Sequence, residues 1–445
     1  MAIVTDRFVQ VARWVAKIEG LPDLSMAVIP YPVAGLSKDK LVQKASACID
    51  DVIQGLTKAG KRREGEVKKV VTKPEPLSFR IRGKSNTEAL RAVNNKFYEQ
   101  KWTDGFPIVP PTEEAVQWML AGTDRDPEEV VCEVAPANGK ATIRNIAINS
   151  VMAGAQPSYL PVIIAAMEAL TDPSFASDPT SVWGLSGMQS TTGPIAPLII
   201  VNGPASKELG VASGRGCFSR GHQANATIGR AVRLIMTNAG MSHVETNDMK
   251  CQGSSHEFTF CVAENEDHPV FQSTRKPWIP LHVERGFATT ANVVTVMASW
   301  PPVNFEDTKH CSPEILTAVV DTMATRGQEP YTIYWEYVLI LSSTHAQCLA
   351  DAGWSKDDIR EFIYANAVMP WGRYKQQYPG LMAMQPTWIK HTLDDSTAVH
   401  IFSGPENINV IVAGSDCMYS QIVRGAFKSV SKQIRLPMDW HAGVK

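Results

Sequence analysis

The sequence predicts an α/β protein, with a small α/β unit at the N-terminus and a larger body built on a mixed sheet. Three observations support this prediction. Apolar residues recur at helical spacing in many segments, short buried runs rich in Val and Ile separate these segments, and the two patterns alternate through much of the chain. A chain of 445 residues is long enough for two or three domains and a large core.

The N-terminal unit is predicted to span residues 1–57, and with three elements and the end of a strand it is small for a domain, so it is interpreted as an incomplete one. Its second helix is long and amphipathic. Residues 58–84 are rich in Lys and Arg without apolar periodicity, which is typical of a solvated linker, so residues 58–100 are interpreted as a basic linker and a helix. The predicted elements are Ala2–Val4, Phe8–Lys17, Ser25–Pro30, Lys38–Leu56 and Thr87–Gln100.

The main body is predicted to span residues 101–445, which is long enough for two subdomains. Thr112, followed by two glutamates, is a predicted helix cap. The predicted helices are Thr142–Ala153, Ser158–Leu170, Ser312–Arg326, His345–Ala352 and Asp357–Ala367, and the predicted strands are Ala196–Asn202, Glu257–Ala263, Asn292–Ala298, Glu336–Leu341, Val399–Phe402 and Asn407–Ala413.

Composition excludes several classes of protein. Hydrophobic residues make up 44% of the chain and charged residues 20%, and a net charge of −2 gives no reason to expect nucleic-acid or membrane binding. No apolar run reaches transmembrane length and no signal peptide is visible, so we expect a cytoplasmic protein. The eight cysteines form no C-x-x-C pair, which argues against a structural zinc site and a secreted disulfide framework.

The segment from Val211 to Asn238 contains a glycine-rich loop that runs into a helix. A helix start carries free N–H groups and partial positive charge, and Arg215 and Arg220 add full charges. We therefore predict that this loop binds a small anionic substrate and forms a wall of the main pocket. The loop matches neither the dinucleotide fingerprint nor the Walker pattern, so no nucleotide is implied.

Several residues of this segment are candidates for binding or catalysis. His222 and Asn225 belong to the loop, and Arg230, near the helix start, is the better substrate contact, whereas Arg233 is expected to pair with an acid. A helix start and nearby arginines lower the pKa of a thiol, so Cys217 is a candidate reactive thiolate.

A second group of candidates combines histidine with carboxylates. His282 and Glu284 stand two apart in a segment predicted to be extended, so they share a face. Glu264 and Glu266, also two apart, follow a predicted strand, and His256 lies just upstream. These residues suit either a general acid/base pair or a divalent metal, and we predict that His282, Glu284 and Glu264 face one cavity.

His345 is a further catalytic candidate, because it stands where a predicted strand passes into a helix. Strand ends carry ligand sites in open α/β sheets. The alternative is a residue of the first helical turn.

The first 57 residues resemble a small family known by its U-G-S-C or C-G-S-C motif. The matching residues are I-V-T-D-R-F at Ile3–Phe8, G-L-P-D-L at Gly20–Leu24 and P-Y-P-V-A-G-L-S at Pro30–Ser37. The main body resembles an uncharacterised domain associated with that family, through W-T-D-G-F-P-I-V-P-P-T-E-E, N-A-T-I-G-R-A, P-L-H-V-E-R-G and H-A-Q-C-L-A-D-A-G-W-S-K. The resemblance implies thiol or selenol chemistry.

Three functions are compatible with these features. The first is an enzyme subunit acting on a small anionic substrate by thiol-linked redox or lyase chemistry. The second is a metal-dependent lyase or hydrolase, and the third is a non-catalytic assembly subunit. The strand and U/C-G-S-C loop that precede Ile3 in the family are not seen, which leads us to expect either a second, thiol-bearing subunit that covers Val11, Val15 and Ile18, or a homo-oligomer.

Overall fold

The N-terminal unit of the structure, a computed structural model, has the predicted order of elements. Strands β1 (Ala2–Thr5) and β2 (Met26–Ile29) pair in parallel, helix α1 (Val9–Ile18) connects them, and helix α2 (Lys38–Thr57) packs on β2. The structure describes residues 1–18, 20–31, 33, 36–57, 78–175, 184–244, 246–273, 276–307, 314–325, 335–377, 393–426, 428–438 and 440. Most of the predicted linker, residues 58–77, lies outside this set.

Helices and one β-hairpin lead into the main body, and three hydroxyl side chains cap them. Ser85, Thr112 and Thr142 each accept a hydrogen bond from a backbone N–H in the first turn that follows. The cap predicted at Thr112 is therefore confirmed. The elements are α3 (Asn86–Glu99), α4 (Glu113–Leu120), β3 (Val130–Val134), β4 (Gly139–Thr142), α5 (Ile143–Ala153), α6 (Leu160–Leu170) and α7 (Leu185–Ser190).

Strands and helices alternate through much of the remaining described part, as the sequence predicted, and the series ends in four consecutive strands. In chain order they are β5 (Ala196–Asn202), α8 (Ala205–Glu208), α9 (Gln223–Gly240), β6 (Cys261–Ala263), α10 (Leu281–Glu284), β7 (Val293–Ser299), β8 (Val303–Glu306), α11 (Ile315–Thr325), β9 (Tyr337–Leu341), α12 (Ser343–Asp351), α13 (Lys356–Asn366), β10 (Val368–Pro370), α14 (Trp371–Gln377), β11 (Ala398–His400), β12 (Ile408–Val412), β13 (Tyr419–Arg424) and β14 (Val430–Gln433).

Two mixed four-stranded sheets form the centre of the main body. The first has the order β14-β7-β5-β6, with β5 and β6 parallel and the other pairs antiparallel. The second has the order β12-β9-β13-β8, with β12 and β9 parallel. The sequence predicted one mixed sheet; β13, which holds a central place in the second sheet, was not foreseen.

The two sheets pack face to face between outer layers of helices. Alternate residues of a strand point to opposite faces, and Leu198 and Ile200 of β5 join Val338 and Ile340 of β9 in one apolar cluster between the sheets. The residues between them, such as Ile199, face helices α5, α6 and α9 instead. Helices α11 and α13 pack on the outer face of the second sheet. The main body is thus a four-layer α/β/β/α sandwich.

Two local predictions are wrong. The segment around His282 is not extended but forms the short helix α10, because the Glu264 carboxylate accepts the Leu281 N–H and the backbone turns at Pro280. The strand predicted from Glu257 begins only at Cys261, after a 3₁₀ turn. Cys348 is disulfide-bonded, which the sequence analysis did not predict. None of the described helices is long and apolar enough to cross a membrane.

Candidate functional site

Asn225 fixes the glycine-rich loop to the body of the protein. Its side chain is 3% exposed, its Oδ1 accepts the Ala212 N–H at 2.8 Å, and its Nδ2 donates to the carbonyls of Ala212, Cys217 and Cys261 at 3.0–3.1 Å. These bonds tie the loop to the strand that follows it in the first sheet. Asn225 was predicted to bind substrate, but its side-chain amide forms its hydrogen bonds with backbone groups, so Asn225 positions the loop instead.

The loop lines a cavity of about 320 Å³ at the end of the space between the two sheets. Gly216–Ser219 forms one wall, and residues that follow β12 and begin β13 form the other. The cavity therefore lies at the carboxyl ends of the parallel strands β9 and β12, where α/β sheets bind ligands. The loop does form a pocket wall, but not that of the main pocket as predicted, because a cavity of about 830 Å³ elsewhere is larger.

The far wall of this cavity carries two amide side chains. Ile340, Gln421 and Asn304 are register partners on three neighbouring strands, so their side chains share the face that looks toward the first sheet. The Gln421 Oε1 is buried and has no hydrogen-bond partner among the described residues. A buried acceptor without a donor is costly, so this oxygen is suited to receive a hydrogen bond from a bound molecule.

Two cysteines line the same cavity. Cys417 is half-buried and Cys217 is buried. Burial is the main reason why the pKa of Cys217 is raised to about 11; two backbone hydrogen bonds act in the opposite direction, and Cys417 makes a small raising contribution. The predicted low-pKa thiolate is therefore wrong, because loss of water around the sulfur outweighs the helix start and the arginines. Cys417, which the sequence analysis missed, is the more accessible thiol.

The charged residues of the loop lie outside the lining of this cavity. Arg215 and Arg220 are exposed, and the Nε2 of His222 lies 3.0 Å from the Arg215 carbonyl. Arg230 makes a two-point ion pair with Asp104 at 2.7 and 2.9 Å. Arg230, predicted to contact the substrate, therefore binds a carboxylate of the protein instead. Arg233 pairs with Glu257 at 3.1 Å, as predicted.

His345 lies behind the cavity rather than in it. Its Nδ1 is 2.7 Å from the Ser420 Oγ, which also accepts the Ser342 N–H. Ser420 alternates with Gln421 along β13, so its side chain points to the helix layer. Burial lowers the pKa of His345, which is 1% exposed and stacked on Phe305. The pair ties α12 to β13.

Glu264 is the centre of a buried ionic cluster at the ends of β5 and β6. Its Oε1 is 3.1 Å from the Lys356 Nζ, and its Oε2 accepts bonds from Asn202 and the Leu281 N–H at 2.7 Å. Glu264 is 2% exposed and Lys356 3%. Lys356 also approaches Glu284 at 3.8 Å, and so links two of the predicted catalytic carboxylates. The Glu264 carboxylate and the Lys356 ammonium thus have partners within the protein. This arrangement is typical of a structural tie, that is, an ion pair that stabilises the fold.

The histidines of the predicted metal site point elsewhere. The Nδ1 of His282, which is fully buried, is 3.5 Å from Glu266 rather than Glu264 or Glu284. Side chains two residues apart in a helix lie on different sides of it, so His282 and Glu284 do not share a face. His256 is 3.2 Å from the Ser299 carbonyl. Among the described residues no group of three or more His, Cys, Asp or Glu side chains has the arrangement of a metal site, and the divalent metal has no support there.

The comparison with known proteins found a family match at the N-terminus of the chain. Residues 1–58 match the model of the UGSC family. The N-terminal unit is thus UGSC-like, which confirms the resemblance over that segment; the resemblance of the main body stays a prediction. Neither the curated proteins nor the solved structures contain a match to the chain.

Proposed function

We propose that this chain is an enzyme subunit that acts on a small anionic molecule by thiol-linked redox chemistry in the cavity lined by Cys217 and Cys417. The observation that supports it most directly is that both thiols line one cavity at the carboxyl ends of β9 and β12. No carboxylate is among the lining residues that the structure describes, and the exposed Arg215 and Arg220 stand in the loop that forms its wall. That setting favours an anion.

The unpaired Gln421 oxygen would orient the substrate by accepting a hydrogen bond from it. Cys417, the more exposed thiol, would react first, and Cys217 would then close the disulfide. In this step the substrate gains two electrons and two protons, while the two thiols lose them and form one S–S bond. A raised pKa suits Cys217 to this second role, because it keeps the thiol protonated until its partner has reacted.

The disulfide would be returned to two thiols by a second, thiol-bearing subunit through thiol–disulfide exchange. The UGSC-like unit offers a surface for such a subunit. Val15 of α1, Ile3 of β1 and Val28 of β2 are exposed apolar side chains, while Val11 is half-buried; the Ile18 side chain lies outside the described set. Exposed strand edges and apolar side chains favour pairing with another chain.

Controlled oxidation tests the proposal. The purified chain is treated with limiting diamide, blocked with an alkylating reagent and mapped by peptide mass spectrometry. We expect the linked peptide Cys217–Cys417 to form before any other new disulfide, and to be absent in Cys417→Ser. The matched control Cys251→Ser removes an exposed thiol outside this cavity and should leave that linkage intact. Oxidation that never joins Cys217 to Cys417 contradicts the proposal.

A further inference from the structure

The largest described cavity, of about 830 Å³, lies at a different place from the thiol cavity. It is bounded by the end of α3, the W-T-D-G-F segment, the second half of α9 and the loop before β6. Its floor holds charged side chains and its mouth holds apolar ones. Cavities of this volume accommodate ligands larger than a simple ion.

The floor is a buried ionic network. Arg233 lies 3.1 Å from Glu257, and Lys250 lies 2.9 Å from Asp248. All four side chains are at most 13% exposed. Burial is the largest cause of the lowered pKa of Lys250, and Arg233 adds to it. Such networks are expensive to desolvate, and their presence beside a cavity is typical of functional sites.

The hydrogen bonds of the charged side chains in the cavity indicate which charge a ligand would carry. The buried carboxylates of the cavity are already engaged: Asp104 by Arg230, Asp248 by Lys250 and Glu257 by Arg233. Glu99, the fourth lining carboxylate, is exposed at the rim. Arg233, by contrast, is 9% exposed, and its NH1 has no hydrogen-bond partner among the described residues. The donor left over in the floor is therefore a cationic one, which suits an anionic group.

A lysine stands at the rim of the same cavity in an unusual backbone conformation. Lys101 follows the last turn of α3 with φ of 59°, a position that favours glycine. It also acts on the pKa of His243, which is lowered first by burial and then by Lys101. A lysine kept at a glycine position places a second positive charge over the cavity.

The mouth of the cavity also carries apolar side chains. Tyr98, Val244 and Phe258 are 67%, 71% and 39% exposed, respectively, and all three line the cavity. The Phe258 ring is held edge-on against Phe106 at 4.9 Å between centroids. Exposed apolar side chains gathered around a cavity are typical of a ligand-binding surface.

We infer that this cavity binds an organic anion, with its carboxylate or phosphate on Arg233 and Lys101 and a planar apolar body against Phe258 and Tyr98. The site is independent of the thiol cavity, since the two share no lining residue among those described. It goes beyond the proposed redox function and does not depend on it.

Calorimetry with a matched series of probes tests this inference. The probes are 2-naphthoate, the uncharged 2-naphthamide, acetate and naphthyl phosphate. We expect 2-naphthoate to bind, the amide to bind about tenfold or more weakly for loss of a charge-assisted bond, and acetate not to bind. Preference for naphthyl phosphate over naphthoate would identify a phosphate ligand, and the reverse a carboxylate. Equal affinity for naphthoate and naphthamide, or no binding by either anion, would overturn the inference.

Two variants locate the binding. Lys101→Gly relieves the backbone and so keeps the fold, and should weaken naphthoate binding about two- to fivefold, as for an exposed ion pair. Arg233→Lys keeps the charge that Glu257 needs but removes the NH1 donors, and should weaken binding about tenfold or more. The control Lys207→Ala removes a surface charge that does not line the cavity. Unchanged affinity in Lys101→Gly, with an intact fold by circular dichroism, contradicts the site.

Discussion

Replacement of Asn225 by Ala tests how the glycine-rich loop is held. The substitution removes one acceptor and two donors from a side chain that is 3% exposed. Each intramolecular hydrogen bond contributes about 0.5–1.5 kcal/mol net, and a buried N–H left without an acceptor costs about 1–3 kcal/mol. The Ala212 N–H is such a group, whereas the Ala212 carbonyl keeps its bond from the Ala263 N–H. We therefore expect a loss of about 2–4 kcal/mol in the free energy of unfolding.

Urea denaturation of the wild type and of Asn225→Ala measures this loss, provided the slope with denaturant is unchanged. Thr227→Ala on the same helix is the matched control, because its hydroxyl donates to the Gln223 carbonyl of its own helix and the expected effect is within about 0.5 kcal/mol. Release of the loop should also expose Cys217 and speed its alkylation. A loss below about 1 kcal/mol, with unchanged Cys217 alkylation, would refute the positioning role.

Three further outcomes follow from the buried groups. Lys356→Met leaves the Glu264 carboxylate buried without its cation and should cost about 3–5 kcal/mol in urea denaturation, whereas Lys356→Met/Glu264→Gln should recover most of this loss; recovery failing in the double variant contradicts the structural tie. Burial lowers the pKa of His256 to about 4, so as the pH falls the unfolded state binds a proton at a higher pH than the folded state does. The contribution of His256 to stability should therefore be complete above about pH 6.5 and fall toward pH 4 by at most about 3 kcal/mol. His256→Gln should flatten this dependence on pH. Because its pKa is about 11, Cys217 should be alkylated more slowly at pH 7.5 than the exposed Cys251, and its rate should keep rising above pH 9; a plateau near pH 8 would contradict the assigned pKa.

Features set by neighbouring residues were predictable from the sequence. The cap at Thr112 needs only a hydroxyl before a helical pattern, and the buried strand Ala196–Asn202 needs only a continuous apolar run. Both were predicted. The order of strands and helices followed from the same local patterns, which is why the α/β class was correct.

Features set by contacts across the chain were not predictable. Lys356, which neutralises Glu264, lies 92 residues away from it, and no local pattern joins them. Asn225 looked like a ligand contact because it stands in a glycine-rich loop, but its partners are backbone carbonyls of Ala212 and of Cys261 in β6. The prediction of a low pKa for Cys217 considered the nearby charges and the helix start but not the burial of the sulfur. That burial results from the packing of the two sheets, which the sequence does not show.

The order in which thiols oxidise tests the central claim most directly. Peptide mapping after limiting diamide measures which cysteines of the chain become linked, and it needs no knowledge of the substrate. The two-thiol cavity predicts that Cys217 and Cys417 join first and that dithiothreitol returns both to free thiols. Preferential oxidation of Cys251, with Cys217 and Cys417 still separate when oxidant is in excess, would contradict it.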